Sequence, residues 1–273
     1  MTPTDQTLLH RLAREPAVLV TVAATRGSVP REAGAWMAVF ARGLVGTIGG
    51  GHLEWEAERS ARAALSRPDS QAWEETVALG PSLGQCCGGT LRLRFERVCA
   101  ADAPVLAERL REPLRPLALF GGGHVGRALV QALSPLPYAV RWIDSRDEVF
   151  PDQLAPTVQT EHSDPVQAAV RELAAGSHVL IMSFSHAEDL DIVAACLARV
   201  RQQDDLGLVG LIGSRTKWAT FSRRLGERGF SEAERQRVTS PIGLPGLTGK
   251  APAVIAASVV AQLLLRDSGI ASP

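Results

Sequence analysis

Two adjacent cysteines, Cys86 and Cys87, sit between glycines in the stretch 83–90, LGQCCGGT. Gly84, Gly88 and Gly89 remove side-chain bulk on both sides of the pair, so backbone amides can approach a ligand closely and point at negative charge. A thiol among such donors leans towards thiolate, the form that binds soft metals and takes part in sulfur exchange. The plainer reading is a pair of small buried hydrophobes beside a turn. Zinc is disfavoured, because there is neither a CxxC spacing nor a second thiol pair.

Three further groups of residues could do chemistry. Arg26 and Arg31 bracket a glycine–proline turn, TRGSVPR at 25–31, and two guanidinium groups there suit a phosphate or carboxylate; the alternative is a solvated loop. Gly49, Gly50 and Gly51 precede His52 at the start of an expected helix, an arrangement that presents helix amides to an anion, with His52 as a ligand or a cap. Gly121, Gly123 and Gly126 form GxGxxG between an apolar strand and a helix, and Asp144, 18 residues beyond Gly126, stands where a ribose hydroxyl is bound in dinucleotide folds.

The elements that must hold these residues follow from periodicity. A helix is expected over 7–14, strands over 17–24, 36–40 and 44–48, a helix from 52 to 66, and a strand over 73–78. The alternation Leu91, Leu93, Phe95 marks a half-buried strand after the cysteines, and a helix is expected over 102–111. Pro113 and Pro116 then mark a boundary between a domain over 1–112 and one over 113–273. Beyond it strands (117–120, 138–143, 157–161, 178–182, 208–212) alternate with helices (127–133, 165–175, 188–201, 215–224), the pattern of a parallel sheet. Ser183, Ser185, His186, Ser214 and Arg215 fall at carboxyl ends of those strands, where such sheets bind ligands. Ser231 and Glu234 form a capping box, and SPIGLPGLTGK at 240–250 is a loop before a last helix from about Pro252. It is not a P-loop, since Leu244 and Ala251 replace the first glycine and the hydroxyl residue of that motif.

Composition excludes several classes. Lys+Arg 29 against Asp+Glu 29 leaves no net charge, so a basic nucleic-acid stripe is not expected. The longest apolar stretch, 251–265, is too short for a bilayer, so no membrane partner is expected. The N-terminal segment does not read as a signal peptide, and four cysteines with two adjacent make no disulfide framework, so a cytoplasmic location is expected.

TRGSVPR (25–31), GTIGGGHLEWE (46–56), LGQCCGG (83–89), FGGGHVG (120–126), GLIGSRTKW (210–218) and SPIGLPG (240–246) together resemble the XdhC/CoxI family of accessory proteins for molybdenum hydroxylases. The resemblance implies an α/β chain, with an N-terminal mixed α+β XdhC/CoxI domain and a C-terminal Rossmann-like domain. It also implies a chaperone rather than an enzyme: a homodimer that binds molybdenum cofactor, presents it for sulfuration by a cysteine desulfurase, and passes it to apo xanthine dehydrogenase. Motif matching places Cys87 on the metal, with Cys86 as an accessory thiol and Gln85, Gly88 and Gly89 beside the cargo. Arg26, Arg31, Gly49, Gly50, Gly51 and His52 would hold its anionic part. Gly121, Gly123, Gly126 and Asp144 would take a pterin, a phosphate or nothing.

Two rivals remain. An NAD(P)-dependent oxidoreductase would use the same glycines and Asp144, but Tyr138 is the only tyrosine and Trp142, not lysine, stands four residues on, leaving Lys217 or His186 for acid–base work. A nucleotidyltransferase acting on molybdopterin would need a magnesium site, for which Asp144 and Asp147 are the candidate carboxylates.

Overall fold

The computed structural model describes residues 2–67, 71–80, 88–111 and 113–269, and the chain divides into two compact units, 3–111 and 112–273. In the first, β1 (Ala17–Arg26), β2 (Trp36–Phe40), β3 (Leu44–Gly46), β4 (Trp73–Ala78) and β5 (Thr90–Val98) form an antiparallel sheet in the order β3-β2-β1-β5-β4. Val18, Val20 and Val22 of β1 pack on Leu53, Ala57 and Ala61 of α2 (Gly51–Leu65). Ala17 and Leu19 turn the other way, to Leu8 and Leu12 of α1 (Pro3–Leu12) and Leu106 of α3 (Ala103–Arg109). Because both faces are covered, β1 is an unbroken apolar run rather than an alternating one. On the sheet's flank, β5 alternates as its sequence does, with Leu91, Leu93 and Phe95 buried and Arg92 and Arg94 exposed. The β1–β5 register slips between Val22 and Ala24, making Ala23 the extra residue of a bulge just before Arg26.

The expected strand over 44–48 stops at Gly46. Beyond it the amides of Ile48 and Gly49 donate to the Glu54 carboxylate at 2.9 and 3.2 Å, so they are not available to a neighbouring strand.

The second unit contains β6 (Arg115–Phe120), α4 (His124–Leu133), β7 (Tyr138–Asp144), β8 (Val158–His162), β9 (His178–Ile181), α5 (His186–Gln203), β10 (Val209–Leu211), α6 (Arg215–Glu227), α7 (Glu232–Arg235), β11 (Val238–Thr239) and α8 (Pro252–Asp267). Its six strands are all parallel in the order β11-β10-β9-β6-β7-β8. Counted from the other edge this is the doubly wound Rossmann order, which reverses between β6 and β9. One sheet face packs on α4 and α8, the other on α5 and α6. Pro116 lies inside β6 but ahead of Leu117, where pairing with β9 begins, so its missing N–H leaves no gap in that ladder.

Two expectations for this unit change. The stretch expected as a helix over 165–175 is a 3₁₀ segment, Val166–Glu172. Arg199 of α5 donates to the carbonyls of Val170 and Leu173, each at 2.8 Å, taking acceptors that a longer α-helix would use itself. β11 was not foreseen, because two residues carry no period; it exists only by pairing with Val209 and Gly210. At the amino edge of the sheet Asp267, ending α8, accepts from the Tyr138 hydroxyl (2.5 Å), His178 Nε2 (2.9 Å) and Arg115 Nη1 (2.9 Å), and so ties that helix to the starts of β6, β7 and β9. Among the described residues, no helix is long and apolar enough to cross a membrane.

Candidate functional site

In the first unit three glycine-bearing segments meet at one end of the sheet. The turn after β1 brings Ser28 O to the Gly89 amide at 3.0 Å, while Gly89 O accepts from Leu79 N at 2.8 Å, so both flanks of the cysteine stretch are fastened beside Arg26. Gly49 lies against the same turn: a Cβ there would meet Pro30 Cβ at 2.6 Å and Arg31 Cγ at 3.6 Å. Gly49 (φ 126°), Gly50 (φ 76°) and Gly51 (φ 64°) all occupy positive φ, a path closed to most side chains, and it delivers the chain into α2 with no side-chain cap on its first amides. Thr47 also donates its hydroxyl to Glu54. Burial alone would raise the Glu54 pKa, but the Thr47 hydroxyl and the amides of 48–50 together hold it below the usual carboxylate value. Glu54 thus sets the shape of the glycine turn and stays ionised.

Neither the Arg26 nor the Arg31 guanidinium has a hydrogen-bonding or ionic partner among the described residues. Guanidinium groups left without a partner among the described residues can take an anionic group such as a phosphate, and the start of α2, without a side-chain cap, lies close to Pro30 and Arg31. His52 does not cap α2; it stacks on Trp55 at 5.3 Å and lies 3.3 Å from Glu56. Trp55 is 54% exposed, with Arg59 on its ring. Gln85, Cys86 and Cys87 lie outside the described residues; Gly88, next in sequence to Cys87, belongs to the gathered loops.

In the second unit Gly121, Gly123 and Gly126 have distinct tasks. At Gly121 (φ 123°) a Cβ would meet the backbone carbon of Met182 at 2.6 Å, and at Gly126 it would strike the Gly121 carbonyl. Those two allow strand, turn and helix to pack. At Gly123 a Cβ would meet nothing within 4 Å among the described residues, and α4 begins there without a side-chain cap. Asp144, only 1% exposed in its side chain, accepts from Gly122 N (2.6 Å) and from Arg146 N (2.9 Å), Nε (2.9 Å) and Nη2 (3.0 Å). Burial would raise its pKa, but these donors prevail and hold it low. Both of its oxygens are engaged within the protein, so it braces the glycine turn.

The XdhC Rossmann domain profile matches residues 117–263, and the profile of the XdhC and CoxI family matches 10–76. The chain belongs to the XdhC and CoxI family. The uncharacterized protein YqeB of Escherichia coli (strain K12) is 28% identical over 254 residues, which is 91% of this chain but 43% of YqeB, so the chain spans less than half of that relative. A solved structure described as a xanthine dehydrogenase from Bacillus halodurans shares the fold, with a TM-score of 0.78 over 98% of this chain and 96% of that one at 20% identity.

Within this XdhC-family chain, several polar residues noted at strand ends serve the frame. Ser185 Oγ caps α5 through Glu188 N (3.2 Å) and Ser214 Oγ caps α6 through Lys217 N (3.1 Å). Ser183 bonds Asp189, which is ion-paired to Lys217 at 2.5 Å. His186 sets its ring edge-on to Phe221. Among the described residues no group of three or more His, Cys, Asp or Glu could hold a metal ion. Sequence reasoning missed Glu54, Trp55 and Arg146. Glu54 and Trp55 stand inside the GGGHLEWE run, while Arg146 could be flagged only by its spacing of two from Asp144.

Proposed function

We propose that this protein is a molybdenum cofactor chaperone, which holds the cofactor as cargo, presents it for exchange of a terminal oxo ligand for sulfur by a cysteine desulfurase, and delivers it to apo xanthine dehydrogenase. The observation that carries this reading is the gathering of 26–31, 49–51 and 88–89 at one end of the first unit. That place carries Arg26 and Arg31, whose guanidinium groups are unpaired among the described residues, and the first amides of α2, which have no side-chain cap, and it adjoins Cys87 in sequence. Family membership supports the same reading. The cargo has matching parts: a soft metal for a thiolate and a phosphate for guanidinium groups. In this reading Cys87 meets the molybdenum or the incoming sulfur, with Cys86 as a second thiol.

The test is anaerobic incubation with molybdenum cofactor, gel filtration, and acid–iodine oxidation of the protein fraction to a fluorescent pterin. Stoichiometric pterin in the parent and its loss in Cys87→Ala is the expected result. Equal pterin in both proteins removes Cys87 from the role, and no pterin in the parent overturns the chaperone reading.

A further inference from the structure

The face of α2 turned away from the sheet carries three side chains that touch one another. Leu53, Ala57 and Ala61 fill the core beneath the helix, and His52, Trp55 and Arg59, at spacings of three and four, form an exposed ridge on its opposite side. Of the chain's five tryptophans, each among the described residues, Trp55 alone is exposed; Trp36, Trp73, Trp142 and Trp218 pack in or against the cores. Its ring is held in place all the same. His52 stacks on it, with centroids 5.3 Å apart and planes at 24°, and Arg59 sets Cζ 5.0 Å from its centroid. An indole fixed on a packed helix loses little freedom when a partner covers it, and tryptophan and arginine carry much of the binding energy at protein interfaces.

The ridge is also unbalanced in charge. Each carboxylate of α2 is engaged: Glu54 by the amides of Ile48 and Gly49, Glu56 by His52 at 3.3 Å and Glu58 by Arg62 at 2.6 Å. The Arg59 guanidinium lies on the Trp55 ring and has no acidic partner among the described residues. The surface that fits this ridge is an apolar pocket for the indole with carboxylates at its rim. A second copy of this chain does not fit, because an isologous contact would set one cationic ridge against its twin. Position narrows the partner further. The ridge follows directly on the glycine turn 49–51, at the end of the unit where 26–31 and 88–89 gather, so a protein seated on it stands beside that site. A desulfurase has only to reach the sulfur end of the cargo, whereas a protein that takes the whole cargo must close over the glycine turn as well.

We infer that the ridge of His52, Trp55 and Arg59 is the docking surface for the protein that receives the cargo, which offers it an acid-rimmed apolar pocket. The inference rests on the chaperone reading, with apo xanthine dehydrogenase as the acceptor, and adds where that acceptor binds.

Cargo-free protein is titrated onto immobilised apo xanthine dehydrogenase by biolayer interferometry, with the cysteine desulfurase immobilised in parallel. Trp55→Ala should weaken binding to the apoenzyme by about thirtyfold, the effect of truncating a central interface tryptophan. Arg59→Glu should weaken it by about tenfold at low salt, and that gap should narrow as salt is raised. Val105→Ala, exposed on α3 across the sheet from α2, should bind as the parent does. Desulfurase binding and pterin retention should be unchanged in both ridge variants. No binding of the parent to the apoenzyme at micromolar concentrations overturns the inference, as does a Trp55→Ala protein that binds it unchanged. Loss of desulfurase binding in its place, or a parent dimer that Trp55→Ala dissociates on gel filtration, also overturns it by naming another occupant. A parent that retains no pterin yet binds the apoenzyme through Trp55 would sink the cargo reading alone, so the two readings fail separately.

Discussion

Gly89→Ala tests whether the junction beside the cysteines is a packed joint. A Cβ at Gly89 would stand 2.7 Å from Arg26 O and 2.8 Å from Val29 Cγ1, with Ser28 O nearer still, all inside the 3.0 Å that real Cβ contacts keep. Two of these obstacles are backbone oxygens, and Ser28 O is also the acceptor of the Gly89 amide, so the turn cannot retreat without stretching that hydrogen bond. Overpacking of about 1–3 kcal/mol plus a weakened hydrogen bond of about 1 kcal/mol gives a loss of about 2–4 kcal/mol. Gly88 supplies the control. A Cβ there meets nothing within 4 Å among the described residues, so Gly88→Ala should change stability by no more than about 0.5 kcal/mol. Urea unfolding of both variants, followed by far-UV circular dichroism, measures the difference directly. Equal midpoints for Gly88→Ala and Gly89→Ala would refute the packed joint, and with it the claim that the three loops hold one another in place.

Asp267 should make the second unit acid-sensitive. Burial raises its pKa, but the Tyr138 and His178 hydrogen bonds and nearby positive charge outweigh that and leave it below 3.8. A depressed folded pKa contributes stability that is complete above the unfolded value and is lost as pH falls from about 4 through the folded pKa. Asp267→Asn should therefore cost about 2–3 kcal/mol at pH 7, with the gap to the parent closing below pH 4 in pH-dependent denaturant melts; a gap that stays constant with pH would show that the carboxylate charge is not the source. Burial pushes the Cys196 thiol up to about 12. Cys196→Ala should therefore leave the number of thiols titrated by Ellman's reagent in the native protein unchanged and raise no new one, whereas a drop by one would mean that Cys196 opens to solvent on the assay timescale.

Much of this protein can be read without coordinates. The apolar run of β1, the alternation of β5, the capping box at Ser231 and the strand–GxGxxG–helix of 117–133 are local patterns, each set by period or by glycine's freedom at positive φ, and they appear in the structure where their residues lie. Local information failed where a partner distant in sequence decides the outcome. Arg199 takes the carbonyls that turn 166–172 into a 3₁₀ segment, and Val209 and Gly210 make a strand of two residues at 238–239.

The candidate sites divide in the same way. The sequence determined which residues could bind, because a thiol pair, guanidinium groups and bare glycine amides have their chemistry whatever surrounds them. Only the tertiary structure decided which of them lie together. It joined Gly89 to Ser28 and Gly49 to Pro30 across gaps of 61 and 19 residues, and it turned Asp144 from an open acceptor into a buried brace for Gly122 by placing Arg146 upon it. Hydrogen-bonding capacity belongs to the side chain, but whether it is left free for a ligand depends on what the fold brings within 3 Å.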